Sequence, residues 1–203
     1  MNGSELAKRT FDLAVALAAL VALLPLLVLT AIYIKIRSPG PVFFTQQRIG
    51  RGGKPFRLWK FRTMHAQPPV DAASSVTTRD DARVFAGGSM LRKLKLDELP
   101  QLWNVVTGTM SLVGPRPTVA EDYQRMTPRQ RERCVVRPGI TGLAQIRGNT
   151  SLSWPERIEW DLRYIDERSL WLDLRILAET CWLVLAARAE THPPGEDEWS
   201  AAA

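Results

Sequence analysis

The sequence predicts an α+β fold, mainly helical, with its N-terminal segment in a membrane. Three observations point there. Leu13 to Ile34 is apolar except for Pro25, Thr30 and Tyr33. Two strand-like stretches flank a glycine-rich turn at Gly50-Arg51-Gly52-Gly53. The remainder alternates short helical patterns with Gly/Pro breaks. At 203 residues the chain is long enough for one domain with its own core. The expected organisation is a membrane-associated helical segment over 1–37, a single domain over 38–190 and a disordered tail over 191–203.

The apolar run has the length of a membrane span, ~20 residues. Pro25 removes a helical hydrogen bond in mid-run and bends the axis. Lys8-Arg9 before the run and Lys35 and Arg37 after it leave the positive-inside rule without a direction. A re-entrant helix, broken near Leu24-Pro25 and returning to the side it came from, satisfies both facts; on length alone a single spanning helix is simpler. No small-residue cleavage site follows, which excludes a cleaved signal peptide.

Ser38-Pro39-Gly40-Pro41 ends this helix. Val42–Ile49 and Pro55–Thr63 form a small β-hairpin in which a period of two puts Phe56, Leu58, Lys60 and Arg62 on one face. Gln67–Asp81 reads as a polar loop. Helices are expected at Ser89–Leu96, at Leu99–Val106, over Glu121–Met126, from Thr127-Pro128, and at Pro155–Tyr164 with Ser153 as cap. Val136–Gly148 reads as a Gly/Pro-punctuated loop. Ser169–Ala187 carries Trp171 and Trp182 but also Asp173, Arg175 and Glu179. Those charges disfavour a span and leave two alternatives, an interfacial amphipathic helix or a core helix.

The formal charge is +6, unevenly spread. No acidic residue lies between Asp12 and Asp71, a stretch holding Lys35, Arg37, Arg48, Arg51, Lys54, Arg57, Lys60 and Arg62. A one-sign block attracts phosphate on a nucleotide, nucleic acid or lipid headgroup. Cys134 and Cys181 are too few and too far apart for a disulfide framework or a zinc site. His65 and His192 are isolated, which excludes a histidine-based triad.

Against this basic background, Asp97-Glu98 is the chemically informative pair. Pro100 is best tolerated in a first helical turn, which places both carboxylates at a helix N-terminus, where ionised acids and phosphates are stabilised. Ordinary capping accounts for such a pair taken alone. Its company argues for more. Arg116 is held between Pro115 and Pro117, Arg137 sits in a glycine-bearing loop, and Arg92 lies just upstream. With Lys60 and Arg62 these cations suit a diphosphate.

KFRTM (Lys60–Met64), LDELPQLWNV (Leu96–Val105), MSLVGPRP (Met110–Pro117), VRPGITGLAQIRG (Val136–Gly148) and the WDLRYI run (Trp160–Ile165) occur in one order. In that order they resemble the bacterial sugar transferases, specifically the small monotopic polyprenyl-phosphate phosphoglycosyl transferases. The likeness covers the chain to about Ala187. It implies transfer of a sugar-1-phosphate from a UDP-sugar to a polyprenyl (undecaprenyl) phosphate with release of UMP. It also implies Mg²⁺ and a covalent phospho-sugar intermediate on Asp97, assisted by Glu98. By motif position Lys60, Arg62, Arg92 and Arg137 become candidate phosphate contacts. Pro115, Arg116 and Pro117 become candidates for the UDP end. Asp161, with Asp97, becomes a candidate magnesium ligand, or else a brace for an arginine. Family members often carry Ser-Pro at the membrane-helix break; this chain has Leu24-Pro25.

The implied location is the cytoplasmic face of the inner membrane. The implied partners are UDP-sugar, polyprenyl phosphate and membrane lipid, with no nucleic acid and with a homodimer admissible. The alternative from a different class is a non-catalytic, membrane-anchored basic module that binds anionic lipid or nucleic acid. It leaves Asp97-Glu98 and the proline-flanked Arg116 without a use.

Overall fold

The computed structural model describes residues 3–65, 83–148 and 151–186. The polar loop Gln67–Asp81 and the tail 191–203 lie outside the described residues.

The apolar run becomes two helices, α1 (Gly3–Ala22) and α2 (Leu24–Arg37). They meet at Leu23, whose φ of −91° and ψ of 2° leave the α-helical range. Pro25 in the first turn of α2 has no N–H to continue the ladder. The helices are bent by 61°. Among the described residues no single helix is long and apolar enough to cross a membrane; α1 and α2 meet that measure only as a bent pair.

Strands β1 (Phe43–Ile49) and β2 (Pro55–Phe61) pair antiparallel, with Phe44 opposite Lys60 and Gln46 opposite Leu58. The turn between them needs left-handed backbone at Gly52 (φ 69°) and Gly53 (φ 74°), a region that glycine enters without penalty. Helix α3 (Gly88–Lys93) leads through a 3-10 turn, Leu96–Glu98, into α4 (Gln101–Val106). The expected order of helices then follows as α5 (Ala120–Arg125) and α6 (Pro128–Arg131), and later as α8 (Trp154–Glu167) and α9 (Leu170–Leu185). Thr127 caps α6 with a full capping box to Gln130, and Ser153 does the same for α8 through Glu156.

The elements differ most from expectation over 136–148. Val136–Gly148 is not loop throughout. It contains strand β4 (Gly139–Thr141) and helix α7 (Leu143–Arg147). Strand β4 pairs in parallel with β3 (Ser111–Val113), Ser111 opposite Gly139 and Val113 opposite Thr141. Strands of three residues have no readable alternation, and their pairing is set by close approach of backbones. A Cβ on Gly139 would stand 2.1 Å from Gly114 N.

The main core draws on seven elements, with Ala16 (α1), Leu58 (β2), Leu102 and Val105 (α4), Leu112 and Val113 (β3), Leu143 (α7), Tyr164 (α8) and Ile176 (α9). A second cluster joins α2 to the hairpin and α3 through Ile34, Phe61, Phe85 and Leu91, with Leu96 packed against it. Met126, Ile158 and Leu162 form a third between α5 and α8.

Inside this apolar frame lies a charged network. Lys8 Nζ is 2.7 Å from Asp12 Oδ1 and 3.0 Å from Asp173 Oδ2. Ser111 Oγ donates to Asp12 Oδ2 at 2.7 Å, and Tyr164 Oη donates to Asp173 Oδ1 at 2.8 Å. Both aspartates are 2% exposed or less. The network ties α1 to β3, α8 and α9. Removing one partner strands buried charge, which costs about 3 kcal/mol or more. Asp12→Ala is therefore expected to lower the thermal unfolding midpoint sharply in detergent, and Glu5→Ala, at a half-exposed surface pair with Arg51, to leave it within about 1 °C.

Candidate active site

Asp97 and Glu98 lie in the 3-10 turn that feeds α4, with Pro100 as the residue that opens the helix. Lys95, immediately before that 3-10 turn, has φ 55°, the one non-glycine residue in left-handed backbone among the described residues. That kink turns the chain from α3 into the acidic pair, and held strain of this kind is common where side chains must be aimed.

Asn104 sets the position of this turn against the hairpin. From the buried face of α4 its Oδ1 accepts from Trp59 N at 3.0 Å, and its Nδ2 donates to Arg57 O at 2.8 Å. One carboxamide thus completes the open edge of β2. The next inward residue of that strand, Lys60, is brought to the carboxylates. Lys60 Nζ donates to Glu98 Oε1 at 2.7 Å and stands 3.9 Å from Asp97 Oδ2. Arg116, on the loop after β3, donates to the same Glu98 oxygen at 3.0 Å.

The two carboxylates have opposite surroundings. Glu98 is buried, which alone would raise its pKa, but Lys60 and Arg116 outweigh this and hold it well below the usual carboxylate range. Asp97 is also buried, and burial raises its carboxyl above the usual range. Lys60 opposes that rise, the adjacent Glu98 charge adds to it, and Lys95 and Arg92 oppose it further. Asp97 Oδ1 has no hydrogen-bond partner among the described residues. Glu98 is therefore a fixed anion binding two cations, and Asp97 carries a desolvated oxygen that nothing restrains.

The other expected phosphate contacts divide. Arg92 donates to Thr63 Oγ1 at 2.8 Å and is close enough for its charge to act on Asp97. Arg62 is a correction. It is 5% exposed and faces the end of α2, donating to Ser38 Oγ and Ser38 O at 2.7 Å each, to Pro41 O and to Met64 O. The strand ends at Phe61, so the alternation that put Arg62 beside Lys60 stops one residue short of it. Arg137 also lies apart from the pair. Its Nε donates to Gly108 O at 3.0 Å beyond the end of α4, where Arg9 binds Val105 O and Val106 O at 2.6 and 2.9 Å. Both arginines there meet the negative end of a helix. Burial lowers the Arg137 pKa, and the charges of Arg9 and Arg51 lower it further.

Two residues beyond the sequence-derived set belong to the site. Asn104 carries a signal, a polar side chain on the apolar face shared by Leu102 and Val105. Arg48 had none beyond its place in the basic block. Its NH1 reaches Pro117 O at 3.4 Å, and burial, followed by the Arg116 charge, brings its pKa down to about 10. Arg48 and Arg116 are neighbouring cations on one side of the pair. Pro115, Arg116 and Pro117 line a shallow groove with Ile49, Thr118 and Cys134.

Asp161 braces an arginine. It is 1% exposed on α8 and accepts from Arg133 Nε at 2.9 Å, while Arg133 NH2 also donates to Arg116 O at 2.9 Å. Burial raises the Asp161 pKa against the pull of Arg133. Through Arg133 it supports the backbone of the Arg116 loop. Among the described residues no three acidic, histidine or cysteine side chains converge to hold a metal. Mg²⁺ needs fewer, since one or two carboxylates with substrate phosphates and water suffice, and the unpartnered Asp97 Oδ1 fits that role.

Residues 3–187 match the family described as bacterial sugar transferase. The UDP-glucose:undecaprenyl-phosphate glucose-1-phosphate transferase of Xanthomonas campestris pv. campestris is 42% identical over 195 residues, covering 92% of this chain and 40% of that protein. The same-named transferase of Caulobacter vibrioides is 47% identical over 188 residues, covering 87% and 68%. The uncharacterized sugar transferase EpsL of Bacillus subtilis is 42% identical over 180 residues, covering 89% and 88%. The chain thus spans well under half of the Xanthomonas relative and most of the Bacillus one. Matched by that family's model over residues 3–187 and by relatives 42–47% identical, this chain belongs to the bacterial sugar transferase family.

Proposed function

We propose that the chain transfers a sugar-1-phosphate from a UDP-sugar to polyprenyl phosphate, releasing UMP, through a phospho-sugar intermediate on Asp97. The observation that carries this reading is the asymmetry of the pair. Glu98 is bound by Lys60 and Arg116, and Asp97 Oδ1 is buried without a hydrogen-bond partner among the described residues. The relatives are named for UDP-glucose and undecaprenyl phosphate, and those names suggest the substrate classes.

In the first displacement an Asp97 oxygen bonds to the sugar-bearing phosphorus. The bond from that phosphorus to the bridging oxygen breaks, and the oxygen leaves with UMP. In the second, an oxygen of polyprenyl phosphate attacks the same phosphorus and Asp97 departs as carboxylate. Both steps need an anion to approach a diphosphate, so positive charge must be in place beforehand. Lys60, Arg116 and Arg48 provide it from three elements. With its carboxylate held low and doubly paired, Glu98 acts by fixing Lys60 and Arg116, a role that its environment supports better than proton abstraction. Bound Mg²⁺, held by Asp97 and the diphosphate, would neutralise charge on the phosphoryl oxygens. Two successive displacements let a soluble donor and a lipid acceptor use one site in turn, giving ping-pong kinetics.

The apolar exterior supports a monotopic arrangement on the cytoplasmic face of the inner membrane. Helices α1 and α2 expose Val21, Leu24, Leu29, Ile32 and Ile36 around the bend. Helix α9 turns Asp173 and Ile176 inward and leaves Trp171 78%, Trp182 67% and Leu185 83% exposed. Such a helix suits the headgroup region, with its tryptophans at the interface. For a re-entrant α1–α2 pair, Ser4→Cys and Lys54→Cys, each in a background lacking Cys134 and Cys181, are expected to react only with reagent on the cytoplasmic side. Periplasmic labelling of Ser4→Cys would contradict re-entry.

UMP release from a panel of UDP-sugars with polyprenyl phosphate and Mg²⁺ tests the chemistry. Asp97→Asn is expected to abolish it, and undiminished release would overturn the nucleophile assignment. Absence of release by the wild-type chain from every donor, with binding to anionic vesicles retained, would favour the basic binding module.

The two carboxylates should also differ in their effect on stability. The Asp97 pKa is raised in the folded state, so its contribution is complete at acid pH and is lost as pH rises through that value. Asp97→Asn is accordingly expected to unfold at a higher temperature than wild type at neutral pH, the gap closing on acidification. The Glu98 pKa is depressed, so its contribution is present at neutral pH and lost as pH falls through the folded value. Glu98→Gln is expected to cost about 1–2 kcal/mol near pH 7, moderated by solvent around the half-exposed Arg116, as read by thermal unfolding against pH.

A further inference from the structure

Gln145 on α7 has a buried carboxamide whose Oε1 and Nε2 both lack a hydrogen-bond partner among the described residues. Buried polar groups in folded proteins are nearly always paired, and an orphaned pair of donor and acceptor on one side chain requires a reason. Its position supplies one. Gly142 opens α7 with φ −172°, ordinary extended backbone, so glycine is needed there for space and not for conformation. A Cβ on Gly142 would stand 2.8 Å from Gln145 Oε1 and 2.3 Å from Gly114 O. The missing side chain is what lets the carboxamide fold back beside Gly114. Gly114 N is in turn held by Thr141 O at 2.9 Å, and the next residues are Pro115-Arg116-Pro117. The unpaired carboxamide thus sits at the root of the loop whose arginine binds Glu98.

We propose that Gln145 is a specificity-determining residue that binds a planar donor–acceptor edge of the UDP-sugar, an amide or imide. This rests on the transferase reading. A carboxamide offers one acceptor and two donors in a plane, and its complement offers the reverse. Two parts of such donors have that chemistry, the imide edge of uracil and the acetamido group of an N-acetylated sugar. A site built to pair with such an edge rejects ligands lacking it by more than an apolar pocket can.

The test uses the full chain in detergent or nanodiscs, with Gln145→Leu and Gln145→Glu beside wild type. Donor KM is measured for UDP-glucose and UDP-N-acetylglucosamine, and UMP binding is measured directly by calorimetry. The expected result is a donor KM raised about tenfold or more, with the polyprenyl phosphate KM unchanged. If the edge is uracil, both donors and UMP binding weaken alike; if it is acetamido, only the N-acetylated donor is affected and UMP binding holds. Unchanged donor KM and UMP binding, or a lower unfolding temperature with a fall in kcat alone, would overturn the proposal and make Gln145 a purely structural residue. A wild-type chain that neither turns over nor binds UMP would defeat the transferase reading and this inference with it. Turnover by wild type with indifferent Gln145 variants defeats this inference only.

Discussion

Lys8, clasped between Asp12 and Asp173, is the interaction on which the arrangement of the whole chain depends. Two aspartates almost wholly removed from water, sharing one part-buried lysine, are stabilising only if every charge is answered. Ser111 and the Leu112 N–H answer Asp12, and Tyr164 answers Asp173. Those partners come from β3 and α8, so the network is complete only when α1, β3, α8 and α9 have assembled. Helices α1 and α9 are thereby joined to the domain by polar as well as apolar contacts, with much of their remaining apolar surface left exposed.

From that anchor the geometry passes to the chemistry through α4. Arg9, one residue beyond Lys8, binds the carbonyls of Val105 and Val106 at the end of α4, and Asp97-Glu98 stand at its beginning. Asn104 then joins α4 to the hairpin edge and delivers Lys60 to Glu98. Arg116 arrives from the opposite side on a loop held by the β3–β4 pairing and by the Asp161–Arg133 pair. Helix α2 touches the same turn through the apolar cluster against which Leu96 packs. The bent apolar helix pair and the acidic turn are therefore parts of one packed unit.

The pattern of successes and misses has physical causes. Pro25, the Gly50–Gly53 turn, Thr127-Pro128 and Ser153 act locally through backbone sterics and capping, so their consequences are visible in sequence. The β3–β4 pairing was not visible, because two three-residue strands far apart in the chain meet through glycine contacts that no periodicity announces. Arg62 misled because strand alternation says which way a side chain points only while the strand lasts. The position of Arg137 at the end of α4 was not legible, because a glycine-bearing loop near other cations does not show what it faces.

The sequence by itself determined the proline-broken apolar segment, the helical character, the hairpin, and the candidacy of Asp97-Glu98 with Lys60 and Arg116. Each of these is written in local composition or in short ordered motifs. Only the tertiary structure decided how the cations divide: Lys60 and Arg116 to Glu98, Arg62 to the end of α2, Arg137 to the end of α4, and Arg133 to Asp161. It alone separated a doubly paired Glu98 from an Asp97 whose Oδ1 has no hydrogen-bond partner among the described residues. Burial and charge pairing depend on residues distant in sequence, so two adjacent carboxylates become different groups only when the chain has folded around them.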